Sequence, residues 1–304
     1  MVLFNQPKVS VIIVNYNSKQ DTMECLRSLQ AINYSQFEIV VVDNGSIDGS
    51  SEYIEKTFSN ICCLRVSNNL GFAGGSNLGI KHALASGAKY LLLLNNDTIV
   101  DVNFLSSMIN LMEKRSDIAA VNPKIYYYDK PNVLWFAGAQ YDDRYPARES
   151  KHIGIGEIDC AQYDQAKEIQ RLTGCCMLIN RVAIENVGLL DEQYFCYVED
   201  TDWCLRAKRV GYKLFYVPSS KIWHKVSASA GGEHSPLSCY YMVRNKALFL
   251  EKNYAYSKWR IILTFFPQMI KSIISIVLFR FPKQKLFILR AYFDYFMGRF
   301  GKIK

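Results

Sequence analysis

The sequence predicts an α/β fold, an open and mainly parallel β-sheet with helices on both faces. Short, continuously apolar segments rich in β-branched residues, for example 9–15 and 37–43, are typical of strands buried on both faces. Segments with helical spacing alternate with these strands over roughly the first 120 residues. With 304 residues, half of them hydrophobic, the chain can form one large domain and an appendage.

Each predicted element follows from its local pattern. Apolar segments predict strands at 9–15, 37–43, 61–66, 90–94 and 118–122. Helical spacing predicts helices that begin after Ser18 and near 46–49, and further helices at 76–86 and 102–115. Beyond Pro123 the pattern predicts loops and irregular strands at 126–170, then a strand at 172–179, a helix at 200–210, a strand at 213–217 and a helix at 237–252.

The charge is distributed unevenly along the chain. The net charge is +8, but from Lys252 onward eleven Lys and Arg residues accompany a single acid, Asp294. Residues 1–251 carry 25 basic and 27 acidic residues, which argues against a nucleic-acid binder. We therefore expect one domain over 1–253, with halves at about 1–122 and 123–253, and a basic, apolar tail over 254–304.

The tail and the cysteines indicate the compartment. An apolar stretch at 261–279 approaches the length of a membrane span, but Pro267, Gln268 and Lys271 interrupt it. We favour a basic amphipathic helical pair that lies in the membrane interface; a helical lid that packs on the main domain is the alternative. Nine cysteines without C-x-x-C spacing predict reduced, mostly buried thiols, and the N-terminus shows no signal pattern. We expect a cytoplasmic protein, peripheral at the inner face of a membrane.

Polar residues follow the first two predicted strands, at the strand ends where ligands bind in open parallel sheets. They are Asn15, Tyr16 and Asn17 after the first strand, and Asp43, Asn44, Gly45, Ser46 and Asp48 at the second. Asp43 could accept hydrogen bonds from a nucleobase or a ribose. The alternative is a turn that caps the next helix.

Two further segments have the residue types of a phosphate or metal site. Segment 68–77 contains Gly71, Gly74 and Gly75 before a predicted helix, where backbone N–H groups can approach a phosphate. Its spacing matches neither a P-loop nor a dinucleotide fingerprint, so a plain turn is an equal interpretation. The fourth strand leads into Asn95, Asn96 and Asp97, whose oxygens suit Mg²⁺ or Mn²⁺; a helix cap is the alternative.

The densest acidic segment is 197–206, which contains Glu199, Asp200 and Asp202, with Arg206 one turn beyond Asp202. It fits a general base beside a binding acid. It also fits an acidic helix start paired with Arg206. His224 follows an apolar segment, and the metal-ligand and structural interpretations are equally weighted.

Taken in order, these segments resemble glycosyltransferase family 2, whose members have the GT-A fold. The resemblance covers about residues 8–250 and is greatest to the branch with bacterial rhamnosyltransferases and galactofuranosyltransferases of lipid-linked polysaccharide assembly. Each motif alone is weak, but seven in this order are specific. The motifs are VSVIIVNYN, VVVDNGSIDGS, NNLGFAGGSNLGI, LLLLNND, TGCCMLINR, GLLDEQYFCYVEDTDWCLRAKRVGY and IWHKVSAS.

The resemblance implies residue roles. It implies a nucleotide-sugar half at about 1–122, an acceptor half at about 123–253, and Asp200 as catalytic base. The metal ligands would be Asp97 and His224, although the family's Asp-any-Asp motif is Asn-Asn-Asp in this chain and keeps only its last acid. The implied nucleotide-binding residues are Tyr16, Asn17, Asp43, Gly74, Asn77, Asn95 and Asn96. Those implied near the acceptor or the sugar are Glu199, Asp202, Gly174 and Cys175.

The implied reaction is inverting transfer of a sugar, rhamnose first, from a dTDP- or UDP-linked donor to a lipid-linked or oligosaccharide acceptor. Mg²⁺ or Mn²⁺ would neutralise the departing diphosphate. We expect a membrane surface and no nucleic acid as partners, and exposed apolar tail surface could also serve a homo-oligomer. Two alternatives are a sugar nucleotidyltransferase, which the glycine-free loop after the first strand disfavours, and a non-catalytic membrane-associated nucleotide-sugar-binding protein.

Overall fold

The computed structural model describes residues 6–142, 144–148, 150–226, 235–278 and 282–303. The strands are β1 (Val9–Asn15), β2 (Phe37–Asp43), β3 (Ile61–Arg65), β4 (Tyr90–Asn95), β5 (Thr98–Val100), β6 (Ile118–Tyr127), β7 (Leu134–Phe136), β8 (Ala139–Gln140), β9 (Lys151–His152), β10 (Lys167–Glu168), β11 (Cys176–Asn180) and β12 (Lys213–His224). The helices are α1 (Lys19–Gln30), α2 (Ser50–Thr57), α3 (Gly71–Ala85), α4 (Phe104–Met112), α5 (Arg181–Val187), α6 (Glu199–Arg209), α7 (Pro236–Tyr254), α8 (Lys258–Val277) and α9 (Pro282–Phe296), with a short 3₁₀ helix at Glu192–Tyr194.

One large sheet organises the molecule, in the order β10-β12-β6-β11-β4-β1-β2-β3. β1 pairs in parallel with β2 and β4, and β6 pairs in parallel with β12. β11 lies between β4 and β6 and is antiparallel to both. The predicted mainly parallel α/β fold is confirmed. The register sets Asn15 opposite Asp43 and Val14 opposite Asn95, so the polar ends of these three strands lie together.

Helix α3 begins at Gly71, five residues before the predicted start, so the glycine-rich segment is helical and not a turn. The physical reason is close packing on β1. A Cβ atom at Gly79 would lie 2.3 Å from Ile12 Cγ2, and one at Gly75 would lie 2.8 Å from Val14 Cγ1. These glycines therefore let the helix approach the sheet, which a turn-based interpretation of the segment misses.

Other boundaries also differ from those predicted. β12 continues from Lys213 to His224 although Pro218 lies within it, because the pairing with β6 shifts register between Val217 and Lys221 and accommodates the proline there. β11 begins at Cys176, since the residues before it form a turn. α2 begins at Ser50, after Gly49 in the left-handed conformation (φ 74°). All nine cysteines are free thiols; Cys160 is exposed.

The tail is a helical pair, as predicted, and it packs on α7. The Tyr240 hydroxyl of α7 donates to Asp294 of α9 at 2.8 Å. The Tyr295 hydroxyl of α9 donates to Glu251 of α7 at 2.7 Å. Within the part of the chain that the structure describes, one helix, at Lys258–Ile276, is long and apolar enough to cross a membrane by length and composition.

Candidate active site

Asn15, at the end of β1, is the centre of a buried polar network at the carboxyl edge of the sheet. Its amide nitrogen donates to Ser46 Oγ at 3.1 Å and to Asp43 Oδ1 at 3.4 Å. Its amide oxygen accepts from Thr22 Oγ1 at 2.8 Å and from Asn96 Nδ2 at 3.4 Å. We call these five residues the N-terminal cluster. It brings together three strand ends and helix α1.

Asp43 is engaged within this cluster. Its Oδ1 also accepts from the Ser46 N–H at 3.3 Å, and its Oδ2 accepts from the Ser51 hydroxyl. These bonds fix the orientation of the carboxylate, and its contact with a pyrimidine base stays a prediction. Tyr16 is more accessible, with 38% of its surface exposed. Asn17, at φ 49°, accepts from the Ile47 N–H at 2.8 Å.

The start of α3 is organised by Asn44, which the motif analysis did not single out for a role. Its amide oxygen accepts from the Leu70 N–H at 2.9 Å, and its amide nitrogen donates to the Gly71 carbonyl at 3.0 Å. The Gly71 N–H bonds to Asn69 and the Ala73 N–H to the Phe195 carbonyl. The segment is thus the start of a helix and not a turn, and Gly74 packs in the helix against the Leu70 side chain; its role in nucleotide binding stays a prediction.

Asn77 and Asp202, for which the resemblance implies nucleotide and sugar contacts, form hydrogen bonds within the protein, and their implied roles stay predictions. Asn77 exchanges hydrogen bonds with the backbone of Leu190, at 2.8 and 3.0 Å, and donates to Glu192. Asp202 accepts from Arg206 at 2.8 Å and from Asn253 at 2.7 Å. They are 2% exposed. Asp202 thus follows the alternative of an acidic helix start paired with Arg206.

The turn Thr173–Cys175 joins two groups of predicted site residues. The Gly174 N–H donates to Asp200 Oδ2 at 2.9 Å. The Cys175 carbonyl accepts from the Asn95 N–H at 2.8 Å, and its thiol interacts with His224. A Cβ atom at Gly174 would lie 3.1 Å from the Phe72 ring, so a side chain there would disturb the turn. We call this turn, with Asp97, Glu199, Asp200 and His224, the acidic corner.

Asp200 lies in the first turn of α6, where the helix dipole favours a negative charge. Its Oδ1 accepts from the Thr201 N–H at 2.5 Å and from the Thr201 hydroxyl at 3.0 Å. Arg171 Nη2 lies 3.5 Å from the same oxygen, a contact that sequence reasoning missed because Arg171 lies outside every motif. The carboxylate is therefore fixed in orientation and 8% exposed.

Glu199 precedes Asp200 and is 4% exposed. Burial, together with the adjacent charge of Asp200, raises the pKa of the Glu199 carboxyl above its ordinary value. Its Oε2 is buried without a hydrogen-bond partner among the described residues. Two adjacent carboxyl groups thus have different surroundings, since Asp200 accepts several hydrogen bonds and Glu199 has a buried, unpaired oxygen.

Asp97 and His224 meet at the other side of the turn. His224 Nε2 lies 3.1 Å from Asp97 Oδ1, and both side chains are buried. Burial alone would lower the pKa of the imidazole, but the facing thiol of Cys175 and carboxylate of Asp97 outweigh it and hold the pKa well above its ordinary value. The Trp135 ring packs edge-on against His224, with centroids 4.8 Å apart.

This pair fits part of a divalent-cation site. An oxygen and an imidazole nitrogen are acceptable ligands, and Mg²⁺ commonly uses one or two protein ligands together with substrate phosphates. His224 Nδ1 is buried with no hydrogen-bond partner in the described part of the chain. Within the same residues, no group of three His, Cys, Asp or Glu side chains could hold a metal ion, so the remaining ligands would come from a donor diphosphate and water. Asn95 and Asn96 complete the segment; Asn96 donates to Thr22 Oγ1 at 2.9 Å.

A mainly parallel sheet with polar and acidic residues at the carboxyl ends of its strands defines a domain of GT-A type. Solved structures agree on the fold. GalNAc-T7, crystallised with UDP, GalNAc and Mn²⁺, matches with a TM-score of 0.63 at 18% identity over 82% of this chain, which spans about half (48%) of that one. A mannosyltransferase from Pyrobaculum calidifontis, in complex with GDP-Man and Mn²⁺, matches with a TM-score of 0.61 at 14% identity over 97% of this chain and 89% of that one.

Sequence comparison identifies the family. The model of glycosyl transferase family 2 matches residues 10–188; the chain belongs to this family and is a glycosyltransferase. It is 26% identical to the dTDP-rhamnosyl transferase RfbF of Shigella flexneri, over 81% of both chains. It is 24% identical to the N-acetylglucosaminyl-diphospho-decaprenol L-rhamnosyltransferase of Mycobacterium tuberculosis, over 73% of this chain and 77% of that one. The predicted family and fold are confirmed.

Proposed function

We propose that the chain transfers a sugar, with rhamnose as the first candidate, from a dTDP- or UDP-linked donor to a hydroxyl of a lipid-linked or oligosaccharide acceptor, with inversion. The supporting observation is the turn Thr173–Cys175, which bonds to Asp200 on one side and contacts Asn95 and His224 on the other. One short segment thereby contacts the proposed base, Asp200, and His224 of the proposed metal-binding pair. The rhamnosyltransferase relatives, one acting on a diphospho-decaprenol acceptor by name, support the choice of sugar and acceptor.

In the proposed mechanism Asp200 accepts the proton of the acceptor hydroxyl through a carboxylate oxygen. The acceptor oxygen forms a bond to the anomeric carbon while the bond to the diphosphate breaks, and the leaving group keeps that electron pair. One displacement inverts the carbon, and no covalent intermediate on the enzyme is needed. The Gly174 and Thr201 N–H groups orient the carboxylate.

Asp97 and His224 would hold Mg²⁺ or Mn²⁺, which when bound supplies positive charge to a donor diphosphate. Tyr16 follows β1 and is exposed, so it is available to the nucleotide, and Asn17 lies beside it. The sugar nucleotidyltransferase alternative loses support, because the family is that of glycosyltransferases. The transfer assay described next distinguishes a glycosyltransferase from a non-catalytic protein.

Replacing the base tests the proposal. Asp200→Asn keeps the side-chain shape and an oxygen for the Gly174 N–H but cannot take a proton, so we expect kcat to fall by about 10²–10⁴. Transfer from dTDP-rhamnose and UDP-sugars to a synthetic lipid-linked acceptor is measured by product formation. Asp117→Asn is the control; Asp117 lies directly before β6, away from the carboxyl edge of the sheet, and pairs with Arg115 and Lys213, so the variant should lower the melting temperature slightly and leave kcat nearly unchanged. Full activity of Asp200→Asn would remove Asp200 as base, and a wild type inactive with every donor would favour a non-catalytic protein.

We also propose that α8 places the enzyme on a membrane. Its outward side forms a continuous apolar stripe opposite the side that packs on α7 and α9. The exposed residues are Trp259, Leu263, Phe266, Ile270, Ile273 and Ile274. Exposed Lys258, Arg260 and Lys271 border the stripe, which is the composition of an interfacial helix that binds anionic lipid. The inner side of the tail packs as the lid alternative requires, so the two interpretations of the tail are compatible.

Vesicle binding tests the membrane proposal separately from transfer. Leu263→Glu, which places a charge in the stripe, should reduce co-sedimentation with phosphatidylglycerol vesicles by about tenfold or more and leave the melting temperature unchanged. Val182→Glu is the control, since Val182 is equally apolar and 55% exposed but lies on α5. Equal binding of both variants would show that α8 does not face lipid. A loss of self-association instead, measured by analytical ultracentrifugation, would assign the stripe to a homo-oligomer.

A further inference from the structure

The loop 194–198, which we call the base loop, leads directly into Glu199 and Asp200. Three of its non-glycine residues have positive φ values, at Phe195 (66°), Tyr197 (66°) and Val198 (77°). Side chains disfavour this region, and a β-branched residue such as valine most of all. The loop therefore keeps its path only if other parts of the protein hold it, and that path determines where α6 begins.

Asn245, in the middle of α7, supplies this support. Its amide nitrogen lies 2.8 Å from each of the carbonyl oxygens of Tyr194, Cys196 and Tyr197, so its two N–H groups are shared among three acceptors. Its amide oxygen accepts from Arg244 Nε at 3.0 Å and Nη2 at 2.8 Å, which fixes the direction of the amide. The side chain is fully buried. One amide thus binds three carbonyls of a strained loop.

Arg244 holds the residues at the start of the base loop. Its Nη2 donates to the carbonyls of Tyr194 at 3.0 Å and Gln193 at 3.2 Å, and its Nη1 donates to the carbonyl of Gly301 at 2.6 Å. On the opposite side, the Phe195 carbonyl accepts from the Ala73 N–H of α3 at 3.1 Å. The loop is therefore clamped between α3 and α7.

We propose that Asn245 and Arg244 are positioning residues, which set the place of Asp200 by holding the base loop in its strained path. The proposal rests on the proposed role of Asp200 as base. Both side chains bind main-chain carbonyls, so they determine the course of the chain whatever side chains the loop carries. A displacement of about 1 Å at a reacting group can reduce a rate by about a hundredfold, so loss of the clamp should act on catalysis more than on donor binding.

Steady-state kinetics of Asn245→Ala test this. We expect kcat to fall by about 10- to 100-fold, with the KM for the donor and the Kd for the nucleoside diphosphate changed less than about threefold. Tyr295→Phe is the matched control, because it removes one buried hydrogen bond of α7, to Glu251, and leaves the base loop untouched; its kcat should be unchanged. If Asn245→Ala does not fold, Asn245→Asp keeps the volume without the donor hydrogens, and Arg244→Lys removes the forked contact.

Hydrogen–deuterium exchange of the peptide over 190–200 separates this proposal from the proposed function, because it needs no activity. Exchange should accelerate in Asn245→Ala and not in Tyr295→Phe. Unchanged exchange would overturn the clamp, and faster exchange with unchanged kcat would overturn its role in positioning. If Tyr295→Phe loses as much kcat as Asn245→Ala, the loss results from general destabilisation, and the proposal is overturned. If Asp200→Asn is fully active, the base assignment fails while the exchange result still decides the clamp.

Discussion

The N-terminal cluster and the acidic corner lie at the same edge of the sheet but differ in how far their polar atoms are satisfied. In the N-terminal cluster Asn15 uses both its amide nitrogen and its amide oxygen, and both oxygens of Asp43 accept hydrogen bonds. At the acidic corner, buried atoms of the described chain lack a hydrogen-bond partner, namely Glu199 Oε2, His224 Nδ1 and, beside Asp200, Arg171 Nε. Leaving such an atom unpaired costs about 1–3 kcal/mol.

This difference suggests that the N-terminal cluster and the acidic corner have different roles. A satisfied network such as that around Asn15 is rigid and forms a wall that exists before any ligand arrives. Unpaired groups, such as His224 Nδ1, raise the free energy of the folded protein, and a ligand that bonds to them or reorients them recovers that free energy. We therefore expect substitutions at the acidic corner to change ligand response, and substitutions in the N-terminal cluster to change stability.

Two neighbouring residues allow a direct test of that contrast, with the largest expected effect. Asp97→Asn should abolish the rise in melting temperature that a nucleoside diphosphate produces with Mn²⁺ or Mg²⁺, a stabilisation of about 2.7 kcal/mol at a hundredfold excess over Kd. Asn96→Ala, which removes the bond to Thr22, should lower the melting temperature without ligand and retain the metal-dependent rise. A thermal-shift screen of both variants against pyrimidine and purine diphosphates also identifies the donor class.

The contrast fails in either of two cases. A metal-dependent rise that survives in Asp97→Asn would remove Asp97 as a ligand. A rise that disappears in Asn96→Ala would place the N-terminal cluster in the ligand site and not in its wall. Metal response that is absent from the wild type with every nucleotide would argue against a divalent cation altogether.

The strands and the mainly parallel character of the sheet were predictable because their signals are local, whereas the order of the strands in the sheet was not. Continuous apolar runs such as 9–15 identify buried strands without any knowledge of partners. Asp97, Asp200 and His224 were identifiable as candidates, because each follows an apolar segment or starts a helix, and their roles stay predictions. The sequence therefore showed where the candidate site residues lie along the chain, and it showed that their motifs follow the order found in the family.

The direction in which a side chain points was not predictable. Asn77 bonds to Leu190 and Asp202 to Asn253, and neither partner is near in sequence. Arg171 and Asn245 belong to no motif, although Arg171 contacts Asp200 and Asn245 contacts the loop that precedes it. The glycines of α3 were interpreted as a turn because their packing against Ile12 and Val14 depends on a helix-to-sheet distance that only the fold sets. Such contacts depend on tertiary structure, and one sequence does not specify them by local pattern.

The smallest expected effect concerns Glu199 and the pH dependence of stability. Because burial and Asp200 raise its pKa in the folded protein, the unfolded chain releases this proton at a lower pH than the folded protein does. Unfolding then becomes more favourable as pH rises. The contribution of the protonated Glu199 carboxyl to the free energy of unfolding is therefore complete below about pH 4.5 and is lost as pH rises through the raised pKa. Glu199→Gln keeps the neutral form, and its free energy of unfolding should exceed that of the wild type by an amount that grows with pH, at most about 1.4 kcal/mol per pH unit.

Urea unfolding at several pH values from 5 to 8 measures this difference. The control is Glu185→Gln, because Glu185 is exposed and forms a surface ion pair with Arg181. A difference between Glu199→Gln and wild type that stays constant with pH would show that Glu199 is ionised in the folded protein over this whole pH range.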